Sequence, residues 1–213
     1  MFGIPEQLTY MNNLIDWNEY HETIAKEFFY LCSDKTVLEI APFFGGNQTQ
    51  AIVKYPIKSL LLVEPNQTCN AKLIEFFPTA TIINDDIFNV YHNKVLVDVV
   101  VACGLLYHLH SSLYLLELIA NQSDPEYIIL DSIHRPPPGI IIKNELLNVP
   151  GNRYTTAPAW KTVNYSISLA FDYFDQALTD LGYKCINKIE LAEFNIFSKQ
   201  NSWMASWQKI TYK

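Results

Sequence analysis

The 213-residue sequence lacks the patterns of a disulfide-rich, zinc-binding or membrane-spanning protein. It contains four cysteines, Cys32, Cys69, Cys103 and Cys185, and no two of them form a Cys-x-x-Cys pair. This spacing predicts free thiols in a reducing compartment. The first residues carry no basic region followed by an apolar run, and the longest apolar stretches have the length of a strand. We therefore expect a cytoplasmic protein with no membrane partner.

Basic residues are also scarce. Lysine and arginine total 15 against 22 aspartate and glutamate residues, which gives a formal net charge of −7. Binding to nucleic acid requires clustered Lys and Arg side chains that neutralise phosphates, and the basic residues of this chain are scattered. The composition therefore argues against a tRNA or DNA partner, although a local basic patch can form on an acidic protein.

Several catalytic motifs are missing as well. The chain has no Gly-x-Ser-x-Gly nucleophile turn, no Gly-x-x-x-x-Gly-Lys phosphate loop and no His-Glu-x-x-His zinc helix. The G-x-G-x-x-G turn of dinucleotide-binding sheets is absent too, which argues against a nicotinamide cofactor. The histidines make no ligand spacing with neighbouring acids, so we predict no required metal.

What the chain does contain is an alternation of short apolar runs with helical stretches. With 49% hydrophobic residues and this length, we expect residues 1–213 to form one domain. The apolar runs lack polar alternation, as in strands buried on both faces. The pattern predicts an α/β fold with a doubly wound, mostly parallel seven-stranded sheet, helices on both faces and an antiparallel C-terminal edge. The first five predicted strands are Thr36 to Ile40, Ser59 to Val63, Thr81 to Ile83, Val97 to Ala102 and Tyr127 to Leu130.

Helical and irregular segments complete the prediction. Residues 1–33 are expected to form an N-terminal helical cap, and residues 132–161, which are rich in proline, an ordered lid that adds substrate-binding residues. Other helices are predicted at Asn47 to Lys54, Asn66 to Phe76, Ser111 to Ala120 and Asn164 to Leu181, and the last two strands at Lys184 to Glu190 and Met204 to Tyr212.

Acidic residues lie at the ends of the first three predicted strands, where ligands of open α/β sheets bind. Glu39 ends the first strand and suits a ligand with a positive amino group. Glu64 ends the second, where a carboxylate can accept hydrogen bonds from two ribose hydroxyls. Asp85 or Asp86 follows the third and can accept from an adenine amine, with Ile87 against the ring. Each acid could instead be a turn former or helix cap, but their conjunction favours a nucleoside-containing ligand.

The segment from Thr36 to His134 resembles the class I S-adenosylmethionine-dependent methyltransferases. Val37-Leu-Glu39-Ile-Ala41-Pro-Phe43-Phe-Gly45-Gly46 is similar to their first motif, Glu64 to their ribose acid, and Asp86-Ile87 to their adenine-contacting pair. Asp98 to Leu109 resembles their fourth-strand motif. The resemblance implies that S-adenosyl-L-methionine is the cofactor. The residues implied to contact it are Glu39, Ala41, Phe43, Gly45, Glu64, Pro65, Asn66, Asp85, Asp86, Ile87, Cys103 and Gly104.

The first motif departs from the family at two positions. The family usually has glycines where this chain has Ala41 and Phe43, and only Gly45 keeps its place. Phe43 puts a large side chain where backbone comes close to the ligand, so it must point away or alter the pocket. We therefore keep a second hypothesis, a catalytically impaired binding or interaction protein with the methyltransferase fold.

The acceptor side is predicted from two segments. Tyr107 and His108 follow the fourth strand, with His108 as general base or substrate contact, or alternatively as a helix-start histidine bonded to backbone. The resemblance implies that the lid forms the acceptor site. We expect an enzyme that methylates oxygen or nitrogen of a small molecule, with an RNA methyltransferase, which shares the Tyr-His pair, as the third alternative. The candidate substrate residues are Glu145, Asn148, Arg153 and Tyr154.

Overall fold

The computed structural model describes residues 17–106, 109, 111–134, 141–144, 165–168, 171–191 and 201–211. Seven of the described strands form one sheet in the order β3-β2-β1-β4-β5-β9-β8. Their bounds are β1 Thr36–Ile40, β2 Ser59–Val63, β3 Thr81–Ile83, β4 Val99–Ala102, β5 Tyr127–His134, β8 Tyr183–Glu190 and β9 Asn201–Lys209. The described helices are α1 Trp17–Glu27, a 3₁₀ turn Phe29–Cys32, α2 Asn47–Ile52, α3 Gln67–Phe76, α4 Ile87–Val90, α5 Ser112–Leu118, a π turn Ile119–Ser123 and α6 Phe171–Asp180.

The five N-terminal strands of the sheet are parallel, as predicted. Glu39 of β1 stands opposite Leu62 of β2 and Val101 of β4, and Val101 stands opposite Ile129 of β5. All four residues of β4 are buried, because this strand lies in the centre of the sheet. A run of branched apolar residues without polar alternation fits this position, since helices cover both faces.

Helices pack on both faces of the sheet. On one face, α5 and α6 contribute Leu115, Leu116, Phe174 and Leu178 to a core that includes Leu38, Val100 and Leu130. On the other, α1, α2 and α3 contribute Ile24, Ala51 and Leu73 to a core with Val37, Val101 and Ile129. Residues two apart on one strand share a face. Glu39 and Asp131 therefore project toward the face of α1, α2 and α3, with Val37 and Ile129.

The C-terminal edge is antiparallel, which confirms the predicted doubly wound sheet. Strand β9 lies between β5 and β8 and pairs antiparallel with both. A bulge between Cys185 and Asn187 interrupts the β8 register. Strand β5 is longer than predicted and continues from Leu130 to His134.

The predicted helix from Asn164 to Leu181 is wrong in its first part. Tyr165–Ser168 is strand β7, which pairs antiparallel with β6, Ile141–Asn144, in a separate two-stranded sheet. The sequence Tyr-Ser-Ile-Ser alternates apolar and polar residues, a strand pattern that the longer helical periodicity obscured. Helix α6, as described, spans Phe171–Asp180.

None of the helices within the described part of the chain is long and apolar enough to cross a bilayer.

Candidate functional site

Glu39 lies at the carboxyl end of β1 and is almost completely buried, with 4% of its surface exposed. Its Oε2 atom makes no hydrogen bond to any residue in the described ranges. Burial raises the pKa of Glu39 to about 8, and the nearby Thr49 side chain of α2 partly opposes this effect. A buried carboxyl group with an unpaired oxygen can take a cationic partner.

The turn after β1 has a left-handed backbone at three positions, Ala41, Phe43 and Gly45. These are the positions at which the first motif of the similar family usually has glycine. The φ angles are 58° at Ala41, 58° at Phe43 and 69° at Gly45. This region of backbone space costs a residue with a side chain roughly 1–2 kcal/mol. The turn thus adopts the backbone of a glycine-rich loop even though two glycines are replaced, and such strain is concentrated at functional sites.

At Gly45 the packing as well as the backbone angle requires a glycine. A Cβ atom on Gly45 would lie 2.2 Å from Cε2 of Phe77 and 2.9 Å from Cδ2 of Leu73. The loop therefore packs directly against the end of α3. The Phe43 ring packs edge-on against Phe44, with 3.8 Å between the ring centroids, and is half-buried.

Glu64 follows β2 and connects two loops at the carboxyl edge of the sheet. Its Oε2 accepts a hydrogen bond from the Phe43 backbone N–H at 3.1 Å, and its Oε1 accepts from the Asn66 backbone N–H at 3.0 Å. The Glu64 side chain is buried at 6% exposure. The loop after β1 and the Glu64 side chain are therefore in direct contact.

Two asparagines hold the segment after Glu64. Asn66 is the N-cap of α3, with Oδ1 accepting from the backbone N–H groups of Thr68 and Cys69 at 2.9 and 3.3 Å. Asn70, one turn further along the helix, donates from Nδ2 to the Glu64 carbonyl at 2.9 Å. The loop around Glu64 and the exposed Pro65 is fixed to α3 from both sides.

The acids after β3 have local partners. Asp86 caps α4 by accepting from the Phe88 N–H at 2.8 Å, and Asp85 accepts from the Asp86 N–H and from Asn89 Nδ2 at 2.7 and 2.9 Å. These two hydrogen bonds hold the pKa of Asp85 below its usual range, and the one from Asn89 has the larger effect. Both acids are exposed, whereas Ile87 is 5% exposed and packs in the core. The structure thus shows the capping role that the sequence left open.

Asp131 on β5 is a buried acid that sequence reasoning missed. It is 8% exposed, and its Oδ1 accepts from the Gly104 backbone N–H at 2.5 Å. Burial raises the pKa of Asp131 to about 7, and the bond from Gly104 opposes this rise. The rule that selected Glu39 and Glu64, an acid at the carboxyl end of a predicted strand, also applies to Asp131, which follows the predicted fifth strand at Leu130.

Cys103 lies within electrostatic range of both buried acids. Its thiol is buried, and burial, followed by the negative charges of Asp131 and Glu39, raises its pKa. Burial and then the charge of Glu39 also raise the pKa of the Cys32 thiol. All four cysteines are free, and the described residues contain no group of three His, Cys, Asp or Glu side chains suited to a metal ion. Glu39 and Asp131 thus place two buried carboxyl groups near Cys103 at the carboxyl edge of β1, β4 and β5.

The structure brings together the cofactor candidates of the first two strands and of β4. Tyr107 and His108, and the lid residues Glu145, Asn148, Arg153 and Tyr154, lie outside the described residues. Their roles remain predictions.

Comparison with solved structures identifies the fold. A Listeria monocytogenes protein described as an S-adenosylmethionine-dependent methyltransferase is 17% identical, aligns over 91% of this chain and 98% of its own, and gives a TM-score of 0.64. The Burkholderia thailandensis 1,6-didemethyltoxoflavin-N1-methyltransferase, crystallised with 1,6-didemethyltoxoflavin and S-adenosylhomocysteine, is 10% identical over 97% and 83% of the chains, with a TM-score of 0.67. A Pyrococcus horikoshii protein described as an RNA methyltransferase is 12% identical over 92% and 83%, with a TM-score of 0.56.

No family model matches the chain, and no curated protein sequence does so either. The structural similarities establish that the chain has the Rossmann-like fold of the class I S-adenosylmethionine-dependent methyltransferases. One of these neighbours acts on a small molecule and another is described as acting on RNA, so the fold leaves the acceptor open.

Proposed function

We propose that the protein is an S-adenosyl-L-methionine-dependent methyltransferase that acts on an oxygen or nitrogen atom of a small molecule. The observation that carries this proposal is Glu39, a carboxyl group buried to 4% exposure whose Oε2 has no hydrogen-bond partner in the described ranges. An ionised group in this position is costly unless a cation joins it. The ammonium group of a methionine moiety supplies that cation.

The neighbouring residues fit the rest of the cofactor. Glu64 lies at the end of the adjacent strand β2, with its carboxylate already oriented by two backbone N–H groups. It would accept hydrogen bonds from the ribose hydroxyls. Asp86 and Ile87 stand after β3, the next strand outward, and would flank the adenine. The order of strands therefore matches the order of the ligand's parts, from amino acid to base.

The loop backbone supports binding despite its substitutions. With Ala41, Phe43 and Gly45 all left-handed, the turn keeps the path of a glycine-rich loop between β1 and α2. The backbone N–H of Phe43 also donates a hydrogen bond to Glu64. These contacts favour a functional cofactor site over the hypothesis of an impaired one.

When bound, S-adenosylmethionine supplies a methyl group that is already activated by the sulfonium. The protein has to align the acceptor with that methyl group and, for a protonated acceptor, remove a proton. We assign the proton-accepting role to His108, with Tyr107 as a wall of the site, and the acceptor contacts to Glu145, Asn148, Arg153 and Tyr154. These assignments come from the sequence alone.

Charge decides between the acceptor classes. The net charge of −7 opposes the approach of a polyanion. We therefore place a small molecule ahead of RNA. The four free thiols agree with a reducing, cytoplasmic location, which we include in the proposal.

Titration calorimetry with S-adenosylmethionine and S-adenosylhomocysteine tests the cofactor assignment. We expect both ligands to bind with micromolar or tighter affinity, and an absence of heat at high micromolar ligand would reject the assignment. A radiolabelled methyl-transfer screen against amine, hydroxyl and RNA acceptors then tests turnover. Tight binding without transfer to any acceptor would favour the impaired binding protein, and transfer to RNA alone would favour the third hypothesis.

A further inference from the structure

Asp131 and Gly104 form a contact between β5 and the loop after β4. The Gly104 N–H donates to Asp131 Oδ1 at 2.5 Å, a short distance for a hydrogen bond from an amide to a carboxylate. We propose that Asp131 is a positioning residue of the methyltransferase site, which fixes the Gly104 backbone and thereby the cofactor contacts proposed for Cys103 and Gly104. This inference rests on the proposed function.

Asp131, which accepts this hydrogen bond, lies in a rigid part of the sheet. Asp131 lies within β5 and stands opposite Met204 of β9, in a register that continues from Tyr127 to His134. On its other side β5 pairs with β4, and Leu130 stands opposite Ala102. With antiparallel pairing to β9 on one side and parallel pairing to β4 on the other, the Asp131 backbone is anchored in the sheet.

Gly104, which donates this hydrogen bond, lies in a less restrained part of the chain. β4 ends at Ala102, and Gly104 lies two residues beyond it, solvent-exposed and with φ of +70°. A glycine in this position has more backbone freedom than any other residue, so an unrestrained Gly104 would let the loop vary. The hydrogen bond to the Asp131 carboxyl restrains that freedom.

The residue fixed by Asp131 belongs to the proposed site. Cys103 and Gly104 are proposed cofactor contacts. Methyl transfer depends on alignment of the reacting groups, and a displacement of about 1 Å can reduce rate strongly. In this proposal Asp131 acts on the site through Gly104.

Asp98 provides a matched control. It also accepts a hydrogen bond from a backbone N–H, that of Thr36, through Oδ2 at 2.7 Å. That contact lies at the amino ends of β1 and β4, the opposite edge of the sheet from Gly104. Removal of either carboxylate deletes one hydrogen bond between a side chain and the main chain, but only one of the two bonds lies at the proposed site.

The test is calorimetric titration of the full chain with S-adenosylhomocysteine, for wild type, Asp131→Ala, Asp131→Asn and Asp98→Ala, with unfolding followed in parallel. We expect Asp131→Ala to weaken binding about tenfold. Asp131→Asn, whose amide oxygen still accepts from Gly104, should restore affinity to within about threefold of wild type. Asp98→Ala should lose stability while its affinity stays unchanged.

Equal affinities of Asp131→Ala and wild type would overturn the inference, as would an equal loss in Asp98→Ala. The inference would also be overturned if Asp131→Asn bound S-adenosylhomocysteine as weakly as Asp131→Ala. That result would show that binding depends on the negative charge of Asp131 and not on its hydrogen bond to Gly104. Failure of the wild type to bind appears in its own titration and rejects the proposed function together with this inference. If Asp131→Ala does not fold, amide exchange at Gly104 in the wild type decides. Strong protection of this exposed glycine supports the anchor, and rapid exchange overturns it.

Discussion

Replacement of Glu39 by glutamine should make the ligand-free protein less sensitive to pH. Burial raises the pKa of Glu39 to about 8, from a usual value of 4.5. Between these two values the folded protein holds a proton on Glu39 that the unfolded chain has released. Because the folded state binds more protons, a rise in pH through this window destabilises it. Glutamine does not titrate, so Glu39→Gln removes this loss.

The size of the effect follows from proton linkage. Over the range in which the folded state alone is protonated, stability falls by about 1.4 kcal/mol per pH unit. From pH 5 to pH 8 the wild type should therefore lose about 3 kcal/mol through Glu39, with flattening near each end of the window. Any constant cost of burying the glutamine amide shifts the variant equally at both values of pH and cancels from the comparison.

Urea unfolding of wild type and variant at pH 5 and pH 8 measures this difference directly. We expect the variant to gain about 3 kcal/mol relative to wild type between the two conditions. Glu75→Gln serves as the control, because it makes the same change of side chain at an exposed position, in the ion pair with Lys72. Parallel pH dependences for wild type and Glu39→Gln would refute the claim that an unpaired, buried Glu39 disfavours its own ionisation.

Further predictions concern the loop and the ligand. Glu64→Ala should weaken binding of S-adenosylhomocysteine by about 1–3 kcal/mol, measured by calorimetry, while Glu75→Ala leaves it unchanged. Gly45→Ala should lower the free energy of unfolding by about 2 kcal/mol or more, because its Cβ meets the Phe77 ring and its φ is 69°. Ala41→Gly, which relieves a left-handed alanine, should instead leave stability equal or raise it by up to about 1 kcal/mol in the same urea assay. Affinity for S-adenosylhomocysteine should rise with pH up to about 8, since a protonated Glu39 must lose its proton to pair with an ammonium group, and should do so less in Glu39→Gln.

The sheet was predictable because its strands have a simple physical signature. Runs such as Val99–Ala102 are apolar without alternation, and only a strand covered on both faces accommodates them. The bounds of β1, β2 and β3 agree with the predictions for the same reason. The acids Glu39 and Glu64 were found because a carboxylate at the end of an apolar run indicates the carboxyl edge of the sheet.

Features that depend on tertiary contacts were not predictable in the same way. The sequence shows alanine and phenylalanine at Ala41 and Phe43, and nothing local reveals that both adopt φ of 58°. That conformation is imposed by contacts such as the Phe43 N–H on Glu64. Tyr165–Ser168 forms a strand by pairing with β6. A prediction from the local sequence alone does not include this pairing partner. Asp131 was missed although the strand-end rule applied to it.

The central claim is that the Glu39 carboxylate holds the ammonium group of the cofactor's methionine moiety. The most direct measurement compares S-adenosylhomocysteine with 5′-methylthioadenosine, which lacks the amino acid, on wild type and Glu39→Gln in one calorimetric cycle. The account predicts that Glu39→Gln weakens binding of S-adenosylhomocysteine at pH 8 by about tenfold or more and leaves 5′-methylthioadenosine within about twofold of wild type. An equal change for both ligands, or no change for either, would contradict it.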